Sequence, residues 1–131
     1  MVMTRLNTKT EEGVIEFAGH SHPIHKEKLP DLRHGIWSLM SDATKVAEAK
    51  TIGSVISTIE FSTPDGVLTA KATPFSRLYE FSKSDKMVGT ITPAHLLTRK
   101  SIIDFKEPVP ELIQIFCFWM AALKWYHAAQ D

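Results

Sequence analysis

The stretch that decides the fold is Pro110–Asp131, PELIQIFCFWMAALKWYHAAQD. From Leu112 to Leu123 it is apolar on every side, broken only by Gln114, and it holds Phe116, Phe118, Trp119 and Met120. A helix that is hydrophobic all round is either the centre of a protein or a membrane span. A span takes roughly 20 predominantly apolar residues, and Lys124 and His127 arrive too soon for that. The stretch is therefore read as a core helix over about 110–129, enclosed by the rest of the chain. Pro110 suits the first helical position, where its missing N–H costs nothing. Glu111 follows at the positive end of the helix dipole. Lys124, His127 and Gln130 fall three apart and predict a solvent-facing stripe near the end of the helix.

What encloses such a helix is written in the middle of the chain. Ile36–Met40 leads through Ser41-Asp42-Ala43-Thr44 into Lys45–Lys50. Val55–Ser62 leads through Thr63-Pro64-Asp65-Gly66 into Val67–Ala72, and Arg77–Ser82 through Lys83-Ser84-Asp85-Lys86 into Met87–Thr92. Each unit reads as strand, Asp-containing turn, strand. Pro-Asp-Gly is a strong turn signal, because Pro presets φ and Gly accepts a positive φ. The flanking runs alternate with period two, as half-buried strands do. Val55, Ser57, Ile59 and Phe61 share one face, and Trp37 with Leu39 and Tyr79 with Phe81 repeat the arrangement. Val14–Phe17 and Ile102–Phe105 add a strand at each side, giving roughly eight or nine strands, mostly in hairpins. A meander of hairpins must hide its edges or close on itself. Curling around an apolar helix serves both needs, so the expected fold is mainly β, an antiparallel hairpin meander forming a barrel or partial barrel around a C-terminal hydrophobic helix.

The succession of strand, Asp turn and strand in Trp37–Lys50, Thr58–Ala72 and Leu78–Thr92 resembles the tubby-like superfamily. That grouping takes in the tubby C-terminal domain, the LURP-one-related proteins and the phospholipid scramblases. The strand Ile102–Phe105 followed by the helix Leu112–Leu123 looks like that family's closing element. The resemblance spans residues 36–129 and implies a closed antiparallel barrel around a central C-terminal helix. This chain is short for the family, so it is expected to be a short or partial version. The resemblance also implies binding of phosphoinositide headgroups through Lys and Arg on the barrel surface.

Length and composition set the remaining bounds. The 131 residues predict one domain, over 13–131, with residues 1–12 (MVMTRLNTKTEE) as a flexible lead-in. Lys plus Arg and Asp plus Glu are balanced at 15 each, so no nucleic-acid partner is expected. The single cysteine, Cys117, lies in the apolar helix and reads as a small buried hydrophobe. No apolar secretory stretch occupies residues 1–13, and no transmembrane span is expected. The expected location is intracellular, in the cytoplasm or peripheral at a membrane.

Little in the chain announces chemistry. Gly19–Arg33 is a Pro-punctuated connection carrying His20, His22 and His25, with His34 just beyond. Neutral imidazole is a common zinc or copper ligand, so a metal-dependent enzyme using His20, His22 and His25 is one reading; a solvated loop is the other. Asp42, Asp65 and Asp85 recur at equivalent turn positions, which turn chemistry alone requires. No nucleophile elbow or phosphate-binding glycine loop is present. The chain thus reads as a non-enzymatic binding module without a cofactor. Its expected ligand is an anionic lipid headgroup, with Arg77, Lys83 and Lys86 around one hairpin as the contacts. A protein partner or a homodimer, joined through the open edges of an incomplete barrel, is the alternative.

Overall fold

The computed structural model describes residues 3–7, 9–27, 35–52, 58–72, 78–93 and 101–130. In chain order these form β1 (Met3–Asn7), β2 (Glu12–Phe17), β3 (His20–Glu27), β4 (Ile36–Ser41), β5 (Thr44–Ile52), β6 (Thr58–Thr63), β7 (Gly66–Ala72), β8 (Tyr79–Lys83), β9 (Lys86–Pro93), β10 (Ser101–Phe105) and α1 (Glu111–Gln130). The strands make one ten-stranded sheet in sequence order. The pairings are antiparallel throughout, and β1 and β10 are left as the two edges of a sheet that does not close.

The three Asp turns lie where the sequence puts them. The pairs Ser41↔Thr44, Thr63↔Gly66 and Lys83↔Lys86 close the hairpins around Asp42, Asp65 and Asp85. Ser84 and Asp85 both have positive φ, 52° and 64°. Two left-handed residues in succession give the primed turn whose twist matches that of the strands it joins.

Period-two alternation turns one face of every hairpin inward. Ile15, Trp37, Leu39, Ile59, Phe61, Leu68, Tyr79, Phe81 and Ile91 are buried together with the helix residues Phe116, Cys117, Trp119, Met120 and Leu123. Size alternates around the wall. Ala49 lies between Trp37 and Phe61, Ala70 between Ile59 and Phe81, and Gly89 between Phe81 and Phe105. Each small residue leaves room for its large neighbours to meet each other and the helix. Phe61 lies 5.9 Å from Phe81 and edge-on to Phe116 at 5.7 Å; Phe105 reaches Phe81 at 5.2 Å. Burial of side chains of this size stabilises by about 1.5–3 kcal/mol each, so the helix and the wall hold one another.

Burial extends around most of α1, as the all-apolar sequence predicts. Ile113, Phe116, Cys117, Trp119, Met120, Ala121 and Leu123 are buried, whereas Gln114, Phe118, Ala122 and Trp125 form a half-buried stripe. The helix comes nearest to the wall at β1 and β2. There the Trp119 indole N–H donates to the Arg5 carbonyl at 2.9 Å. Gly13 makes this approach feasible: a Cβ on it would lie 2.9 Å from the indole.

Three features depart from the sequence reading. Residues 3–7, inside the expected lead-in, form β1 and pair with β2. The expected His-rich connection forms β3 over His20–Glu27, in register with β2 and β4. Lys124 does not join a solvent stripe: it is half-buried, with its Nζ 5.5 Å from the centre of the Trp37 ring. Residues 55–57 of the strand expected over Val55–Ser62 lie outside the described residues; the remainder falls within β6.

Candidate functional site

Two hairpins and the start of the helix meet at one end of the sheet. Hydrophobic alternation brings Leu68 of β7 and Val88 of β9 inward just after their turns, where both are buried. The segment Glu107–Pro110, which breaks β10 from α1, passes beside them, and Ile113 closes the first helical turn. Between these parts lies a cavity of about 410 Å³ with Leu68, Val88, Val109 and Ile113 among its lining residues. Lys83, Lys86, Asp65 and Glu107 supply its charges.

The two lysines are not equivalent. Lys86 Nζ is 2.8 Å from Glu107 Oε1. The hydrogen bond and charge of that pair raise the lysine pKa and lower the Glu107 pKa, to which the charge of Lys83 adds a smaller effect. Lys83 has no carboxylate within ion-pair distance among the described residues. It runs beside the neighbouring turn: Gly66 adopts a φ of 126°, and a Cβ there would lie 3.3 Å from Lys83 Cε. Gly66 thus serves both the turn and the lysine that lies beside it. The amino-terminal end of α1 also opens on this cavity through Pro110 and Ile113. The first amides of a helix have no intrahelical partner and favour negative charge.

The structure therefore joins Lys83 and Lys86 in one cavity and couples Lys86 to an acid. Arg77, the third expected contact, lies outside the described residues. Sequence reasoning missed the apolar lining and Glu107. The Pro-Val-Pro run at the helix start marks a rigid segment, but nothing in it shows which hairpin ends it meets.

The histidines are placed apart. His22 is buried on the inner face with Nδ1 3.2 Å from the Met40 carbonyl. His25 lies on the opposite face of the same strand, largely exposed, 3.5 Å from Glu12. His20 is exposed at the start of the strand, and His34 lies outside the described residues. Among the described residues no group of three His, Cys, Asp or Glu side chains could hold a metal ion. No helix among them is long and apolar enough to cross a membrane.

Compared with protein-family models, curated proteins and solved structures, the chain matches none of them.

Proposed function

We propose that the chain is a non-enzymatic binding module whose cavity at the β6–β7 and β8–β9 turns receives an anionic amphiphile, with a phosphorylated lipid headgroup as the ligand. The observation that carries this reading is a cavity lined by Leu68, Val88, Val109 and Ile113 and flanked by Lys83, a cation without a carboxylate partner among the described residues. An apolar wall with a few placed polar groups is the usual form of a small-molecule site. Lys83 supplies the charge for a phosphate, and the apolar residues take the carbon skeleton beside it. Lys86 is held by Glu107 and contributes less. The order of strands, turns and closing helix, which resembles the tubby-like superfamily, supports the same ligand class.

The test is co-sedimentation of the purified protein with neutral vesicles and with phosphoinositide-containing vesicles, at low and at physiological salt. Selective pelleting that weakens with salt is expected, because anionic surfaces attract cations within a Debye length. Lys83→Glu is expected to reduce it by roughly tenfold or more, whereas Lys86→Gln has a smaller effect. Equal pelleting with both vesicle types, or none, would remove the lipid from this reading.

A further inference from the structure

The open seam carries the second inference, which is independent of the headgroup cavity. Ile103 of β10 stands directly opposite Ile91 of β9, so both side chains share the inner face. Ile91 is fully buried, yet Ile103 is 37% exposed. On the other lip Thr4 stands opposite the fully buried Ile15 and is exposed. Core-facing positions therefore lose their cover at both edges of the sheet. The edges also keep rows of backbone groups that a further strand could pair.

Charge and direction select the occupant. β1 (MTRLN) carries Arg5 and no acid; β10 (SIIDF) carries Asp104 and no base. Both charged residues lie on the outer face, opposite Val14 and Thr90. Neither forms an ion pair among the described residues. Pairing β1 with a second β1, or β10 with a second β10, gathers like charges, which is destabilising across a strand pair. Pairing β1 with β10 brings opposite charges together.

The sheet has ten strands in an unbroken antiparallel order, so β1 and β10 run in opposite directions. A two-fold axis parallel to the strands preserves each direction. It sets β1 of one copy antiparallel to β10 of the other at both lips at once. With Arg5 opposite Asp104, the next inward pair is Leu6 opposite Ile103, which covers the exposed isoleucine with an apolar neighbour.

We propose that two copies of this chain join seam to seam, β1 of each pairing with β10 of the other, to form a closed two-fold dimer. Such an interface uses the same surface on both partners and ends assembly at two. The test is sedimentation equilibrium of the full chain over a range of concentrations. A dimer is expected, with Arg5→Asp and Asp104→Arg each weakening it by about tenfold or more, and the double exchange Arg5→Asp/Asp104→Arg restoring it. A monomer, an open-ended series of higher oligomers, or failure of the double exchange to restore the dimer overturns the proposal. A second measurement separates the seam from self-closure. Leu6→Cys/Ile103→Cys, oxidised and run without reductant, is expected to give a disulfide-linked dimer. A cross-link within one chain, or none, overturns the proposal. Cys117 is buried and free, and it stays outside this chemistry.

Discussion

Lys124 stands where an otherwise apolar helix acquires its first charge, and its surroundings decide what that charge costs. Burial holds its pKa below the ordinary lysine value; Lys26 pushes the same way, and Glu11 opposes both. The Trp37 ring compensates in part, with Lys26 and Lys124 at 5.2 and 5.5 Å from its centre and its indole N–H bonded to the Glu11 carbonyl. Spacing along the helix predicts a solvent stripe at 124, 127 and 130, because spacing sees only the helix. Trp37 comes from β4, and only the curled sheet brings it there. The pH consequence has a definite sign. Between the folded pKa and the unfolded value of 10.5, the unfolded chain holds more protons on Lys124 than the native one. Stability from this group therefore rises with pH through that window, and the full cost is present below it. Melting temperatures of the wild type and Lys124→Met, measured as pH is raised towards 10.5, are expected to show the wild type gaining on the variant. A difference that stays constant with pH would refute this account.

At the scale of the element, β3 shows where the sequence stops being legible. The hairpins from β4 to β9 announce themselves, because their inward positions are Trp, Leu, Ile, Phe and Tyr and their turns hold Asp. β3 has the same alternation, but His20 and His22 occupy the inner face ahead of Ile24, and Pro23 sits between. A proline in a strand argues against a central position. Here the pairing of β3 with β4 begins one residue later, at Ile24↔Leu39. The Met40 carbonyl beyond that point meets the His22 ring, so a side chain serves where Pro23 has no N–H to offer. β1 hides for a different reason: as an edge strand it has little buried side-chain area to betray it. His22→Ala is expected to cost about 1 kcal/mol or more by leaving a partly buried carbonyl without this partner, read as a lower urea midpoint. An unchanged midpoint would show that the ring is merely adjacent. The candidate site was legible to a similar extent. Lys83 and Lys86 stand out as charge around a turn, but the partnership of Lys86 with Glu107 and the shared apolar cavity are tertiary facts.

For the whole molecule, the reading of a β wall around a buried helix follows from one observation, a helix without a polar face. The open sheet fits the expected partial barrel, but the number of strands did not follow, because it depends on β1 and β3. The buried helix also gives the molecule an internal reporter. Cys117 is fully buried, and burial pushes its thiol pKa well above the ordinary range. A thiol reagent is expected to label it only through global opening, with a denaturant dependence equal to that of equilibrium unfolding. Fast labelling without denaturant dependence would mean that the helix detaches on its own. The order of the elements has one more consequence. Trp119 bonds to Arg5 across 114 positions of sequence, and α1 follows every strand. As the chain leaves the ribosome, ten strands emerge with their apolar face empty, and the segment that fills it comes after them. Non-local closure of this kind is slow, and exposed apolar surface invites aggregation while it waits. During synthesis the apolar face of the sheet is therefore expected to stay without its filling until the helix arrives.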